Sequence, residues 1–591
     1  TCEDTSPHLG AYGDTFAVTP QLDAFARQSV RYTQAFAYTG VCAPSRSCLI
    51  TGVLPLRLGS QHMRSTTRLP AEVKCFPTYL HAAGYYTSNN VKEDYNFTTP
   101  RGSWDDSSNK AHWRNRAAGQ PFFSVINFTV THQSQIFCND TVYQRNTRRL
   151  TPEQRRDPAK VPVPPFHPDT PEFRKEWARH YENVTAMDYQ VGDVLAELEK
   201  DGLAEDTIVL FFSDHGTGMP GVKMWAWGPS LRVPFMVRFP KKWQHLAPSQ
   251  PGSVSDRMVS FVDFAPTVLS LAGVELPSYF QGTAFLGPKT GAPRSHIFGG
   301  KDRQGEAADL VRYVRDRRFQ YLRNFRPEVP HGQYMSYNWQ HASMQRWESL
   351  HKEGKLTGAP ARYFATPKPL EELYDVEADP WQVNNLAADP KYAAELTRLR
   401  ALLDAEMQRA GDLSLLPERE MHARAAGSTP YAIATDPRLN PLPALRRAAD
   451  LANTLSPTSI PALVGLLRAE DSAVRWWGAN GLRALRAAAA PAKPALLIAL
   501  DDTSPDVRIA AAEALAALGE TDRALRTLEA TLKVDDVFAR ASTLLTLQRL
   551  GSVARPLIPA IREAKLVDPA HKDMSDYIGR MVGYLPEKLA Q

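Results

Sequence analysis

The sequence predicts an α/β region that continues into a small α+β subdomain and then into an α-solenoid. Three observations support this prediction. Residues 1–292 alternate short apolar runs with amphipathic helical stretches, which is typical of α/β domains. Residues 293–425 change to hairpin-like patterns, and residues 440–591 are rich in Ala and Leu with a loose internal repeat. Single cores rarely grow beyond about 250–300 residues, so several domains are expected in 591 residues.

Two apolar runs in the first region predict β-strands. Residues 121–128 and 207–212 are near-continuous runs of apolar side chains, as expected for strands buried on both faces of a parallel sheet. Between them, residues 187–195 have a helical period and precede the stop signal Lys200-Asp201-Gly202. Strand and helix therefore alternate in this region.

The residues that follow these strands are candidates for a functional site. In open α/β sheets, ligands bind beyond the carboxyl ends of the strands. Residues 213–216, Ser-Asp-His-Gly, directly follow one predicted strand, and Thr131 and His132 lie shortly after the other. Glu3 and Asp4 would lie at the same edge if the first residues are the end of a strand.

The second region predicts a small α+β subdomain. Residues 313–322 have the pattern of an antiparallel hairpin, and residues 373–386 close the subdomain. We expect its boundaries to be residues 293–425.

The third region contains a diverged helical repeat. Val474, Val507 and Val537 each open an Ala-rich helix after an acidic turn, at separations of 33 and 30 residues. This period resembles that of HEAT repeats, which stack into an α-solenoid. An ordinary helical bundle remains an alternative because the repeats are few. We expect no catalytic group in residues 440–591, and we expect this array to be separable unless it docks over the rim of the active site.

Composition excludes several classes of protein. The 69 Lys and Arg residues exceed the 64 Asp and Glu residues by only five and are spread evenly, so no nucleic-acid partner is expected. Five scattered cysteines are too few for a disulfide framework or a zinc cluster. No run of about 20 apolar residues predicts a transmembrane helix. The opening residues look like the end of a strand, so an export signal is expected outside this sequence, with a periplasmic or secreted location.

Residues 41–52 carry the most informative motif. Cys42-Ala43-Pro44-Ser45-Arg46 is followed by an apolar pair and Thr51-Gly52. This motif resembles the signature of the formylglycine-dependent sulfatases of the alkaline phosphatase superfamily. The resemblance implies that a formylglycine-generating or other sulfatase-maturing enzyme oxidises Cys42 to an aldehyde. The hydrate of that aldehyde would be the nucleophile, and Arg46 would hold the modified side chain. The alternative is a buried structural cysteine beside a turn-forming proline.

The resemblance also implies a metal site. Sulfate-ester cleavage requires a divalent cation, and calcium or magnesium prefers oxygen ligands. The implied ligands are Glu3, Asp4, the modified Cys42, Asp214 and His215. Glu3 stands where the family more often has Asp, so its carboxylate reaches further by one methylene. The alternative for Asp214 is a helix cap, and for Glu3 a solvated carboxylate.

Three further residues match positions that contact sulfate or the leaving group in the family. Lys92 and Lys223 match the two sulfate-contacting lysines, and His132 matches the histidine that protonates the leaving oxygen. Where many relatives continue Lys-x-His, this chain has Glu93-Asp94 after Lys92. The alternatives are a solvated surface lysine for Lys92 and a core histidine for His132.

Substrate contacts are expected in two segments. Trp104, His112 and Trp113 combine aromatic and polar side chains, and Arg303 begins the second subdomain. Aromatic faces stack on sugar rings while polar groups bind hydroxyls and charge, but both segments could equally be ordinary loops.

The hypothesis is therefore a sulfatase that acts on a sulfated carbohydrate. A phosphonate or phosphate ester hydrolase of the same superfamily is one alternative. A non-catalytic glycan- or protein-binding scaffold is another, against which the complete motif from Cys42 to Arg46 argues.

Overall fold

The computed structural model describes residues 1–591 and contains thirteen β-strands. In chain order these are β1 (Val30–Tyr32), β2 (Ala35–Phe36), β3 (Tyr86–Asn90), β4 (Asp106–Ser107), β5 (Phe122–Ile126), β6 (Val209–Phe212), β7 (Phe235–Arg238), β8 (Val254–Ser255), β9 (Val259–Ser260), β10 (Ile297–Lys301), β11 (Val311–Arg315), β12 (Phe319–Asn324) and β13 (Glu371–Asp375).

The central sheet has two parts that the first residues of the chain join. One part has the order β4-β3-β5 and is parallel; the other has the order β6-β7-β1-β8. Cys2 forms parallel bridges to Phe128, just after β5, and to Ser213, just after β6. β5 and β6 therefore run in the same direction, and their carboxyl ends meet where Glu3 and Asp4 lie.

The central sheet differs from the parallel sheet that the apolar runs predict. β7 pairs antiparallel with both β6 and β1, so the sheet is mixed. The side chains of β5 are only half-buried, which shows that an apolar run alone does not establish burial on both faces.

Helices surround this sheet and its extension. They are α1 (Pro20–Ala26), α2 (Cys42–Thr51), α3 (Pro55–Leu58), α4 (Pro77–Ala82), α5 (Asp140–Asn146), α6 (Pro171–Lys200), α7 (Gly228–Leu231), α8 (Phe264–Leu271), α9 (Ala342–Lys352), α10 (Gly358–Arg362), α11 (Ala393–Ala410), α12 (Glu418–Arg424) and α13 (Pro430–Ile433). The helical pattern at 187–195 lies in α6, which ends at Lys200 as the stop signal predicts.

A second sheet follows in the chain. β10, β11, β12 and β13 form an antiparallel sheet in sequence order. The predicted hairpin is β11 and β12, with Tyr313 opposite Leu322. Together with α9, α10 and α11, this sheet forms the α+β region that the sequence predicts.

The remaining helices form the array. They are α14 (Leu442–Ala452), α15 (Ile460–Leu466), α16 (Ser472–Ala484), α17 (Lys493–Ala499), α18 (Pro505–Ala517), α19 (Thr521–Leu532), α20 (Val537–Leu550), α21 (Ile558–Arg562) and α22 (Lys572–Ala590). The three predicted repeat helices are α16, α18 and α20.

The array packs firmly against the rest of the chain. One hydrophobic cluster contains Leu56 of α3, Leu403 of α11 and Leu482 of α16. The indole of Trp477 donates to the carbonyl oxygen of Leu415 at 2.9 Å. Removal of the array would uncover apolar side chains of this shared core, so we expect a cost in stability, and its separability stays a prediction.

Two further features concern the helices and the cysteines. No helix combines the length and apolar composition that a bilayer-spanning segment needs. All five cysteines are free, and only Cys138 is not fully buried.

Replacing Trp477 tests whether the array and the subdomain share one core. Trp477 is fully buried, so Trp477→Ala should lower the free energy of unfolding by about 3–5 kcal/mol, as large core truncations do. Ile498 in the same array is 77% exposed, and Ile498→Ala should change it by less than about 0.5 kcal/mol. Urea denaturation measures both, and equal effects would contradict the shared core.

Candidate active site

Cys42 lies at the first position of helix α2 and is almost wholly buried, with 1% exposure. The free backbone N–H groups of a helix N-terminus favour an anion. Ser45, in the first turn, donates from Oγ to the Asp214 carbonyl oxygen at 2.7 Å. This bond fixes the start of α2 against the end of β6.

Four side chains with metal-binding atoms surround one point at this edge. They are Asp4, Cys42, Asp214 and His215, whose ligand atoms all lie within 4.8 Å of one another. Nε2 of His215 is 3.0 Å from Asp4 Oδ1 and 3.4 Å from Cys42 Sγ. All four residues are buried. The structure thus brings together four of the five predicted ligands.

The His215 ring directs Nε2 at this cluster. Its Nδ1 lies 2.8 Å from the Gly216 carbonyl oxygen, which can only accept, so Nδ1 carries a hydrogen. Burial lowers the pKa of His215, but the carboxylates of Asp214 and Asp4 outweigh it and raise that pKa to about 10. Without a cation, these carboxylates favour a proton on Nε2 as well. A bound cation would replace this proton, and Nε2 would offer its lone pair.

The guanidinium of Arg46 joins three segments of the chain. Nε donates to Asp214 Oδ2 at 3.0 Å, and Nη1 donates to Asn127 Oδ1 at 2.9 Å. Nη2 donates to Glu3 Oε1 at 3.2 Å. Arg46 is buried, and its planar fork of donors reaches all three acceptors at once. It therefore positions the strand ends around Cys42.

Glu3 lies outside the four-residue cluster. Its Oε1 is 2.5 Å from Lys92 Nζ, in addition to its bond with Arg46. Burial raises the pKa of Glu3, although Lys92 and Arg46 oppose this. In this structure Glu3 is a counter-ion of two cations, which differs from the ligand role that the resemblance implies.

Lys223 and His132 also face the cluster. Lys223 Nζ donates to Asp4 Oδ2 at 2.6 Å and lies 3.4 Å from His132 Nε2. Nδ1 of His132 accepts from the backbone N–H of Ser134 at 3.3 Å. Nδ1 also lies 2.8 Å from Ser134 Oγ, and Nε2 faces the site beside the Lys223 ammonium. His132 is placed to donate a proton there.

Positive charge dominates the surroundings of the Cys42 thiol. Burial raises the pKa of Cys42, but Lys223 and Lys92 outweigh it and hold that pKa well below its usual value. Burial likewise opposes ionisation of Asp214, yet His215 and Arg46 lower its pKa to about 2. The site therefore stabilises negative charge, as a site for an anionic ester must.

Two residues that the sequence analysis missed support this geometry. Asn127 accepts from Arg46 and donates to Asn89 Oδ1 at 2.9 Å. The backbone N–H of Gln133 donates to Asp4 Oδ2 at 2.7 Å. Asn127 directly follows β5, so the strand-end rule could have found it; a backbone donor such as that of Gln133 leaves no residue-type signal.

His112 and Trp113 do not lie at the site. Nε2 of His112 is 3.2 Å from Glu197 Oε2, and the Trp113 indole donates to Asp201 Oδ2 at 2.8 Å. Both acceptors lie at the end of α6, which leads into the amino end of β6. Since Asp214 follows the opposite end of β6, His112 and Trp113 hold the far edge of the sheet. Their predicted substrate contact is not supported.

Arg303 forms an ion pair within the protein, whereas Trp104 borders an open cleft. Arg303 is buried and donates to the two carboxylate oxygens of Glu418 at 2.6 and 2.9 Å. It also lies 5.4 Å from the centre of the Tyr577 ring, so it links parts of the protein and does not face a sugar. Trp104 lines a cleft that also includes Asp94, so it stays a candidate.

Comparison with known proteins agrees with this geometry. The sulfatase family model matches residues 1–274, and a HEAT repeat model matches residues 493–521. An ulvan-active sulfatase of Formosa agariphila is 37% identical over 477 residues, which cover 74% of this chain and 79% of that protein. Human N-sulphoglucosamine sulphohydrolase is 29% identical over 453 residues, covering 67% of this chain and 87% of the human protein.

A solved structure shows the same fold. A putative sulfatase from Bacteroides thetaiotaomicron superposes with a TM-score of 0.52 at 20% identity, covering 70% of this chain and 92% of its own. Fold and site together define a hydrolase with the alkaline-phosphatase-like α/β fold, followed by HEAT repeats. The chain belongs to the sulfatase family, the hydrolases of sulfuric esters.

Arg46→Lys tests whether the three-way guanidinium contact holds the site together. A lysine keeps the charge but cannot bond all three acceptors, so a buried carboxylate loses its partner. We expect a loss of about 3 kcal/mol in the free energy of unfolding, as when one member of a buried ion pair is removed. Arg318→Lys is a control, because Arg318 pairs with Asp375 while its side chain is 57% exposed. An unchanged urea midpoint for Arg46→Lys would contradict this role.

Proposed function

We propose that this protein hydrolyses sulfate esters of a sulfated polysaccharide, with formylglycine at position 42 as nucleophile and a bound calcium or magnesium ion. The observation that carries the proposal is the buried cluster of Asp4, Cys42, Asp214 and His215, whose ligand atoms lie within 4.8 Å of one another. Family membership favours sulfate esters over phosphonate or phosphate esters. A complete cluster of this kind also argues against a non-catalytic scaffold.

The surroundings of Cys42 suit a formylglycine. Conversion removes the sulfur and two electrons from the Cβ atom, so the maturing enzyme must supply the oxidant. A hydrated formylglycine has two hydroxyl groups on one carbon, one to attack sulfur and one whose loss of a proton lets sulfate leave. Lys92 and Lys223, which lower the pKa of the Cys42 thiol, would equally favour an ionised oxygen at this position.

The cluster also fits a hard cation. Oδ1 of Asp4 is buried without a hydrogen-bond donor in good geometry, and Nε2 of His215 faces it. Asp4, Asp214, His215 and an oxygen at position 42 would hold the ion. When bound, it would supply positive charge beside the nucleophile and the sulfuryl oxygens. Glu3 would orient Lys92 and Arg46 beside the site.

The remaining side chains divide the other tasks. Lys92 and Lys223 would bind the sulfate oxygens, which requires that they partly leave Glu3 and Asp4. Nε2 of His132 would donate a proton to the leaving alcohol oxygen as the S–O bond breaks. The imidazolium form of His132 would supply this proton and would return to neutral imidazole when it donates.

The relatives support a carbohydrate substrate. One is described as active on ulvan and another as a sulphohydrolase of N-sulphoglucosamine. We extend to this chain the class that they share, a sulfated carbohydrate, and we take ulvan as the first polymer to test. An enzyme encounters such polysaccharides outside the cytoplasm, which fits the predicted periplasmic or secreted location. That location stays a prediction.

Peptide mass spectrometry tests the nucleophile. When the protein is produced with an active maturing enzyme, the peptide containing Cys42 should lose about 18 Da, whereas ordinary cysteine oxidation adds oxygen. Cys48 in the same helix provides an internal control and should keep its mass. An unmodified Cys42 in a sample that hydrolyses aryl sulfates would contradict the assignment.

Asp214→Asn tests the cation. The substitution keeps the shape of the side chain but removes the charge, so bound metal and 4-nitrophenyl sulfate turnover should both fall, the rate at least about a hundredfold. Asp206→Asn, at an exposed pair with Lys242, is the matched control. Elemental analysis, turnover and circular dichroism provide the readouts. Full turnover by the wild-type enzyme after exhaustive chelation would show that no cation is needed.

A further inference from the structure

A polar cleft opens beside the proposed sulfate site. It has a volume of about 570 Å³ and is lined mainly by residues 93–104. Asp94 of this lining lies 3.7 Å from Lys92, measured from Oδ2 to Nζ. Thr66 and Asp573 line the cleft as well, and Asp573 belongs to α22, the last helix of the array. Catalytic region and array therefore build the cleft together.

Arg64 contacts two residues that line this cleft, Asp94 and Asn96, and its side chain is partly exposed. Its backbone N–H donates to Asn96 Oδ1 at 2.8 Å, and its Nε is 3.6 Å from Asp94 Oδ1. The Arg64 side chain is 41% exposed, compared with 7% for Arg46 and 3% for Lys223. Beyond its contact with Asp94, part of the Arg64 guanidinium therefore stays open to solvent and can bind a further anion, whereas Arg46 is enclosed by its three acceptors.

The site and Arg64 are electrostatically linked. Asp94 stands between Lys92 and Arg64. Burial lowers the pKa of Arg64, but Asp94, Tyr577 and Cys42 outweigh it. Arg64 is thus within electrostatic reach of the position where the scissile sulfate would react.

The backbone holds Arg64 in a specific position. Its φ is +53°, a left-handed conformation that non-glycine residues seldom adopt. The Asn96 amide donates to the carbonyl oxygens of Ser60 and His62, each at 2.8 Å. These bonds, together with the one from the Arg64 N–H, clamp the loop from both sides. The guanidinium therefore projects from a rigid support.

Helix α22 braces the same loop from the array. The hydroxyl of Thr66 donates to Asp573 Oδ2 at 3.4 Å. Nη2 of Arg303 bonds the Met63 carbonyl oxygen at 3.2 Å while its guanidinium lies 5.4 Å from the Tyr577 ring centre. The last helix thus fixes the loop that carries Arg64 and places a carboxylate beside it.

We propose that Arg64 forms a second anion subsite, which binds another sulfate or carboxylate group of the same glycan chain, and that α22 holds it in place. The inference rests on the proposed function, because it assumes that the first site binds the scissile sulfate. An aryl sulfate has no second anionic group and cannot use this subsite. The subsite therefore selects polyanionic chains over small esters.

Arg64→Ala in the full-length protein tests the subsite. Its kcat/KM for ulvan should fall at least about tenfold further than its kcat/KM for 4-nitrophenyl sulfate, mainly through KM, since the contact concerns binding of the remote group. Arg64→Lys should recover part of the difference. Arg438 is 87% exposed and pairs with Asp436. Arg438→Ala also removes one positive charge, and it should leave the ratio of the two kcat/KM values unchanged.

Asp573→Asn should act in the opposite direction. Loss of this carboxylate makes the subsite more positive, so KM for ulvan should fall and its dependence on ionic strength should steepen. A purely structural role of Asp573 predicts no such gain. Dextran sulfate and polygalacturonate, as competitors of 4-nitrophenyl sulfate turnover, distinguish a sulfate from a carboxylate as the preferred second group.

Each outcome has a defined meaning. If wild-type protein bearing formylglycine hydrolyses neither 4-nitrophenyl sulfate nor ulvan, the proposed function is wrong. If it hydrolyses both substrates, but Arg64→Ala and Arg64→Lys lower kcat/KM equally for ulvan and for 4-nitrophenyl sulfate, Arg64 only neutralises Asp94. The subsite is then wrong. If ulvan is not hydrolysed, ulvan, dextran sulfate and polygalacturonate are compared as inhibitors of 4-nitrophenyl sulfate turnover. The inference is overturned if none of them inhibits, or if Arg64→Ala does not weaken the inhibition.

Discussion

The buried ion pair between Arg46 and Asp214 is the contact on which the rest of the site depends. Arg46 belongs to α2 and Asp214 follows β6, so their 3.0 Å bond sets the position of Cys42 relative to the edge of the sheet. The same guanidinium reaches Asn127 after β5. One side chain thus fixes a helix start and two strand ends. Breaking one member of such a buried pair leaves an uncompensated charge, which is far more costly than losing an exposed pair.

Sequence patterns predicted much of this site because strand direction is a strong constraint. The ends of β5 and β6 had to meet at one edge, so His132, Asp214 and His215 could be placed before any coordinates were considered. The partners of Glu3 could not be predicted, since its side chain reaches two cations, Lys92 and Arg46, and lies outside the four-residue cluster. His112 and Trp113 were misplaced because a cluster of aromatic and polar residues carries no information about which edge of a sheet it faces.

The array illustrates a second limit of sequence patterns. Repeat periodicity predicted α16, α18 and α20, because each helix must bury an apolar stripe against its neighbours. The periodicity could not indicate that Trp477 would also pack against the subdomain. An apolar stripe on a helix has the same sequence pattern whether it faces a neighbouring repeat or another domain. Similarly, the mixed order of the central sheet follows from the pairing of β7, which the composition of β6 does not determine.

The burial of Cys42 has a consequence for the order of events in biosynthesis. With 1% of its surface exposed and the end of β6 packed against its helix, the thiol is out of reach of any modifying enzyme in the folded protein. If position 42 carries formylglycine, as we propose, the oxidation would have to precede folding or compete with it. A chain that folds too quickly would trap an unmodified thiol permanently, so folding rate and the supply of maturing enzyme would jointly determine what fraction of molecules becomes active.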